Sequence, residues 1–521
     1  MTEGTRGAGP LDLAGVLRHD ALYFADKPGV RIDGTAITFA QLQRRVDDAV
    51  AVLGQHVQRG DCVGLWLHNS FSWIAAFLAL NTLGAVAVPI NTRLTAAECA
   101  VILRDAQARA LVTTRRYRGR DYLDEAMESC VPAEGEFVAF AAADDVPAVQ
   151  WSVHKSAGLS SRPSAAIPDD LLCVQYTSGT TATPKGVMLT NRAYLQTAAY
   201  VARCQRLTPS SRFISAGPFF HCSGTMHAIT VCLVAGCTLN SLSVWDAERF
   251  LDETQQHACD VSHMVYYRDV LALGAERARP KLATMRVTHD LGTREYLQRL
   301  HDELGLEGIS NIYGMTETAG QYTMWFPDDP LEKRVAANGR PQPGNRLRIG
   351  DPETGAQLSP QAVGEIQMKG HTISPGYFNR PQANTEAFTD DGWLRSGDLG
   401  TINDEGELHY IARLKELIRV GGENLAPAEV EQAIRDAAGI QHVCVLGIPN
   451  ERLDEVPAAV IVGNVAADWP QVLAQLRGTL AGFKIPRAVY RAEQFPLTAT
   501  NRVQRAVLRE WIAGGTLERL V

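Results

Sequence analysis

The chain has 521 residues, 45 % hydrophobic and 21 % charged, an ordinary soluble composition at a length that exceeds one typical domain. Its formal net charge of −8 excludes bulk attraction to nucleic acid or anionic membrane, so any phosphate must be held by a local loop. Ten cysteines stand singly with no CxxC pair, which argues against zinc or redox motifs and for reduced, buried thiols. The first ten residues lack the apolar core of a signal peptide, and no run approaches the roughly 18 apolar residues of a membrane span. A cytoplasmic protein is expected, with no nucleic-acid or membrane partner.

In chain order, Phe39, Leu42, Val46, Val50 and Leu53 recur at helical spacing and predict a helix over 38–53. Residues 62–67 follow Arg59-Gly60-Asp61 as a short apolar run and read as a buried strand. Residues 72–84 are apolar on every side and read as a buried helix, with a strand over 85–89 after it. Such alternation predicts an α/β fold with a parallel sheet. Residues 140–168, rich in Ala, Ser, Asp and Pro, read as a surface loop. After Arg413-Leu414-Lys415-Glu416 the pattern restarts. A helix over 427–438, strands over 443–448 and 458–462 and a helix over 472–480 are expected. The expected division is therefore a large domain, 1–413, and a small α/β domain, 414–521.

The strongest chemical signal follows the apolar run 171–174: Tyr176-Thr177-Ser178-Gly179-Thr180-Thr181-Ala182-Thr183-Pro184-Lys185-Gly186. Glycines and small hydroxylated residues let backbone N–H groups close around phosphate oxygens, and Lys185 adds a point charge. It is not a Walker loop, because Gly186 and not Ser or Thr follows the lysine.

This loop resembles the phosphate loop of the adenylate-forming superfamily, which holds acyl-CoA synthetases, peptide-synthetase adenylation domains and beetle luciferases. Other segments resemble the same family in its own order: Tyr313-Gly314-Met315-Thr316-Glu317-Thr318, Ser396-Gly397-Asp398, Arg413-Leu414-Lys415-Glu416 and Gly421-Gly422-Glu423-Asn424-Leu425. The resemblance spans residues 25–510 and implies a two-domain α/β fold with ATP or AMP, CoA and Mg²⁺ as cofactors. It implies nucleotide contacts from Thr177, Ser178, Gly179, Thr180, Thr181, Lys185, Tyr313 and Gly314. Thr316 would meet the α-phosphate, and Glu317 would help hold Mg²⁺. Asp398 and Arg413 would hold the ribose, Lys415 would be the hinge, and Gly421 and Gly422 would line the pantetheine tunnel. The family first joins a carboxylate to ATP as an acyl-adenylate, then transfers the acyl group to a thiol. The small domain rotates between the steps.

Arg502 stands where the resemblance leads one to expect the first-step lysine, and Asn501 where it expects glycine. Arginine keeps the charge but is planar and wider, so the exchange is not conservative at a packed site, and a shift on the order of 1 Å can cost about 100-fold. Ala182 replaces a usual glycine, and Val287-Thr288-His289-Asp290-Leu291-Gly292 stands in place of a Gly-Gly-Ala adenine segment. These departures fall on the ATP side. They resemble a non-adenylating acyl-CoA ligase of terpenoid-antibiotic (platensimycin-type) biosynthesis, which takes an acyl-adenylate from a separate adenylating enzyme. A complete two-step synthetase is one alternative; a carrier-loading or adenylate-binding protein is another.

The segment Pro218-Phe219-Phe220-His221-Cys222-Ser223-Gly224 carries no acid, so an α-ammonium would lack its counter-charge. A carboxylic acid without an α-amine is expected. His221 matches a family position beside the acyl carboxylate. Tyr266 and Tyr267, with Gly314, are the expected acyl-side residues, and the two tyrosines point to a bulky, partly oxygenated acid.

Overall fold

The computed structural model describes residues 12–130, 137–143, 150–155, 171–177, 184–263, 266–420, 423–463, 467–497 and 503–521. Ser178, Gly179, Thr180, Thr181, Ala182, Gly421, Gly422, Asn501 and Arg502 lie outside these residues. No helix among the described residues is long and apolar enough to cross a membrane. All ten cysteines are buried and free.

Contacts divide the chain into two compact units, residues 1–347 with 368–394 and 405–408, and residues 348–367 with 395–404 and 409–521. The first unit holds two seven-stranded sheets. One runs Gln150–Lys155, Val138–Ala143, Ala110–Thr114, Cys62–Trp66, Val86–Pro89, Leu171–Thr177, Lys185–Thr190. The other runs Ile309–Asn311, Val287–Asp290, Val261–His263, Arg212–Ser215, Thr238–Ser241, Pro28–Ile32, Thr35–Thr38, with its first six strands parallel.

The helix Phe71–Leu83 starts where Ser70 Oγ accepts from Trp73 N and ends at Gly84, whose φ of 67° is left-handed. Apolar on all sides, it belongs between layers. Its Trp73, Ile74 and Phe77 share one core with Val63 and Leu65 of one sheet and Phe213, Leu239 and Val261 of the other. The helix Phe39–Leu53 begins with a capping box between Thr38 and Gln41.

Two expectations need correction. Within 140–168, the strands Val138–Ala143 and Gln150–Lys155 replace part of the expected loop. Alanine is a poor strand former, but Val138–Ala143 pairs in parallel with the buried strand Ala110–Thr114, and that packing overrides propensity. The helix expected over 472–480 is Trp469–Leu476. Asp468 caps it by accepting from Gln471 N at 3.2 Å, and Pro470 fits the first turn.

In the second unit the strand Asp454–Val462 pairs antiparallel with Val443–Asn450 and parallel with Ala488–Ala492. The helices Pro427–Ala438 and Trp469–Leu476 cover this sheet through Val430, Ile434, Val472 and Leu473.

Candidate active site

The strands Leu171–Thr177 and Lys185–Thr190 form an antiparallel pair that brings Thr177 opposite Lys185. Gly186 lets them close: a Cβ there would lie 2.6 Å from Val174 Cγ1. A third segment joins through Met188 N to the Gly376 carbonyl (3.0 Å) and Phe378 N to the Gly186 carbonyl (2.8 Å). It places Tyr377 so that Lys185 Nζ lies 5.2 Å from its ring centre, while its hydroxyl donates to Glu317 Oε1 at 2.8 Å. Lys185, Tyr377 and Glu317 thus form one cluster. The sequence reading missed Tyr377; the turn signal Pro375-Gly376 just before it was the available clue.

Thr316 and Glu317 belong to the short 3₁₀ turn Thr316–Thr318 and are nearly buried. Ala319 and Gly320 follow with φ of 55° and 86°, so the chain doubles back at once. Gly314 packs directly on this reversal, since a Cβ there would meet the Gly320 carbonyl oxygen at 2.5 Å. The Tyr313 carbonyl accepts from Tyr322 N and Thr323 N at 2.9 and 3.0 Å.

His221 caps the turn Cys222–Gly224: Ser223 N donates to its Nδ1 at 3.2 Å. A neutral ring accepting there carries its proton on Nε2, which makes Nε2–H a donor. Tyr266 packs edge-on against Trp245 at 5.1 Å. Tyr267 is fully buried, with its hydroxyl 2.8 Å from Ser262 Oγ, so the structure gives it a packing position. In the stretch without the Gly-Gly-Ala segment, Asp290 accepts from Leu291 N and from the Tyr296 hydroxyl, each at 2.8 Å. Burial pushes its carboxyl up to about 7.

In the second unit, Asp398 is buried and its Oδ1 lies 2.8 Å from Arg413 Nε. Gly397 takes a φ of 69° and donates its N–H to Glu365 Oε1 at 3.0 Å, which sets the Ser396-Gly397-Asp398 bend. Glu365 escaped the sequence reading; a single acid within the buried strand Gly364–Lys369 was its only mark. Lys415 is exposed in the turn Leu414–Glu416. Its neighbour Glu416 pairs with Arg505 at 2.8 Å, and Arg505 also meets Glu431 at 2.9 Å.

A family model for AMP-binding enzymes matches residues 17–378, and one for the AMP-binding enzyme C-terminal domain matches 429–502. The chain belongs to the AMP-binding enzymes. The 3-[(3aS,4S,7aS)-7a-methyl-1,5-dioxo-octahydro-1H-inden-4-yl]propanoyl:CoA ligase of Rhodococcus jostii (strain RHA1) is 32 % identical over 522 residues, 96 % of this chain and 99 % of the relative. Among solved structures, ATP-bound MatB from Rhodopseudomonas palustris superposes with a TM-score of 0.82 at 28 % identity, covering 96 % of this chain and 99 % of that one. The o-succinylbenzoate CoA synthetase of Bacillus subtilis, in complex with its acyl-adenylate OSB-AMP, gives a TM-score of 0.78 at 26 % identity, covering 95 % and 97 %. The fold is thus the two-domain adenylate-forming one, and the protein is an enzyme of its acyl-CoA ligase branch.

The residues present suit the cofactors of an AMP-binding enzyme. Among the described residues no group of three His, Cys, Asp or Glu could hold a metal by itself. The nearly buried Glu317 carboxylate beside Thr316 offers hard oxygen donors, which suit a Mg²⁺ ion completed by substrate phosphates and water. Lys185 would offer a phosphate its cation, and the buried Asp398 carboxylate, held by Arg413, would offer ribose hydroxyls an acceptor.

Proposed function

We propose that this enzyme forms an acyl-CoA from a supplied acyl-adenylate, and that Arg502 confines it to that half of the family reaction. The acid carries no α-amine. CoA sulfur attacks the acyl carbonyl carbon, the bond from that carbon to the phosphate oxygen breaks, AMP leaves with the electron pair, and the thiol proton passes to solvent.

His221 Nε2–H orients the acyl carbonyl, Lys185 and Thr316 hold the phosphate, and Asp398 with Arg413 holds the ribose. Bound Mg²⁺ would neutralise phosphate charge at Glu317. Lys415 is the proposed hinge between residues 1–413 and 414–521, and Gly421 with Gly422 the proposed edge of the pantetheine tunnel. The observation that carries the reading is Arg502 with Asn501, at the end of the stretch matched by the C-terminal family model. An acid with ring oxygens is supported by the dioxo-indenyl propanoyl group in the name of the Rhodococcus relative.

The relatives are named as CoA ligases and synthetases, which favours a second reading, the complete two-step synthetase. Incubating a synthetic acyl-adenylate with CoA, followed by mass analysis, tests the transfer common to both. Acyl-CoA and AMP are expected; absence of the thioester would sink both readings and leave an adenylate-binding protein.

A further inference from the structure

Beyond the residues assigned so far, the first unit contains a buried row of histidines. It starts at Gly320, the residue packed on Gly314. His227 Nε2 lies 3.2 Å from the Gly320 carbonyl oxygen, and a Cβ on Gly320 would meet both His227 Nε2 and Cys222 Cβ at 3.1 Å. The His227 ring stacks on His263 at 3.8 Å and 18°, and His263 meets His289 edge-on at 5.7 Å and 85°. Gln205 closes the row, its Nε2 3.0 Å from His289 Nδ1.

The fold builds this row at the place where it builds ligand sites. His263 ends its strand and His289 is next to last in the adjacent one, in the parallel register His263↔His289. In open α/β sheets ligands sit beyond the carboxyl ends of the strands. The same edge delivers Tyr313 and Gly314 after Ile309–Asn311, and His221 after Arg212–Ser215. Side chains alternate along a strand, so Ser262 and Thr288 with Tyr267 lie on the opposite face. His227 comes from the π-helix Thr225–Thr230, a rare geometry frequent at functional sites.

The chemistry of the row is neutral and incomplete. Burial holds His227 and His289 down at about 3 and His263 well below its ordinary value, so all three rings are uncharged at physiological pH. Each neutral ring offers one donor and one acceptor. Yet His227 Nδ1, both nitrogens of His263, His289 Nε2 and Gln205 Oε1 find no hydrogen-bond partner among the described residues. A buried polar atom left so is costly, and native proteins rarely carry several together. Stacked rings do not converge their lone pairs on one point, and no metal-holding group is found among the described residues.

We propose that His227, His263 and His289, with Gln205, form the distal wall of the acyl pocket and hydrogen-bond neutral oxygens, ketone or hydroxyl, on the acyl group. This rests on the acyl-CoA ligase reading. Uncharged rings favour a carbonyl or hydroxyl over a second carboxylate, whose charge would be buried unpaired.

The test uses the full chain and two probes: the acyl-adenylate of a bicyclic alkanoic acid bearing ring ketones, and that of the same acid with each ketone reduced to methylene. Binding is read by calorimetry with unreactive acyl-sulfamoyl analogues, turnover by acyl-CoA formation. The unaltered protein should bind the keto probe at least about tenfold more tightly, the worth of one or two hydrogen bonds. His263→Phe keeps the ring and removes its nitrogens. It should erase that preference while binding the methylene probe as before. Gln205→Leu gives a second variant, with a partial loss expected, should the first fail to fold. Equal binding of both probes by the unaltered protein, a preference that survives in folded His263→Phe, or one undiminished in folded Gln205→Leu, overturns the proposal. A keto preference without any acyl-CoA product would leave the histidine wall standing and sink the ligase reading instead.

Discussion

At the scale of single residues, the site depends on side chains that other side chains hold. Tyr377 touches both Glu317 and the Lys185 cation. Hydrogen bonds to charged groups are worth about 1.5–3 kcal/mol. Tyr377→Phe should therefore raise the KM for acyl-adenylate about tenfold and lower the melting temperature as well, because the nearly buried Glu317 loses a donor; an unaltered KM would remove Tyr377 from the site. His221 caps a turn through its Nδ1, and its Nε2–H is the donor we propose for the acyl carbonyl. His221→Asn keeps a good cap but not the reach of the ring. It should fold like the parent and lose at least about tenfold in thioesterification rate; His221→Ala should lose stability as well. If Asn matched the parent in rate, the capping role alone would account for His221.

At the scale of elements, the turn after Thr316–Thr318 and the histidine row carry the sharpest expectations. Gly314 has no room for a side chain against the Gly320 carbonyl oxygen. Gly314→Ala should lower the melting temperature and the turnover together, measured by calorimetry and by acyl-CoA formation. The row also sets an acid limit. An unfolded histidine titrates near 6.5, whereas folded His227 and His289 stay neutral down to about 3. Between those values the unfolded chain binds more protons, so the stability these rings contribute is present above pH 6.5 and lost as pH falls toward 3. Asp290 acts oppositely: its folded carboxyl titrates near 7, so its contribution declines as pH rises from about 4 through 7. Melting scans from pH 7 to 4 should show a steep loss that His289→Phe lessens, and Asp290→Asn should raise stability above pH 7. An acid loss identical in His289→Phe would show that the row does not set the limit.

At the scale of the whole molecule, the sequence made the fold legible wherever periodicity or an apolar run was strong, as in Phe39–Leu53, Phe71–Leu83 and the alternating strands around them. It failed at Val138–Ala143, an alanine-rich strand whose order comes from its neighbour Ala110–Thr114. Among the candidate site residues, Glu317, Asp398 and His221 could be proposed from the sequence because they lie inside contiguous motifs. Tyr377, Glu365 and the histidine row could not, because folding joins positions as distant as 227, 263 and 289. The second unit has its own long-range tie, Arg505 between Glu416 and Glu431. Arg505→Met takes the cation from Glu416 and leaves Glu431 with Arg435 at 3.5 Å, so it should cost roughly 2 kcal/mol in denaturant unfolding; a cost near zero would make the tie ornamental. The claim for the whole enzyme is that one half-reaction survives. Its most direct test compares pyrophosphate release from free acid and ATP with AMP release from acyl-adenylate and CoA, by the unaltered chain and by the double variant Asn501→Gly, Arg502→Lys. The unaltered chain should release AMP rapidly and pyrophosphate at least about 100-fold more slowly, and the double variant should gain pyrophosphate release. Comparable rates for both half-reactions in the unaltered chain would contradict the claim.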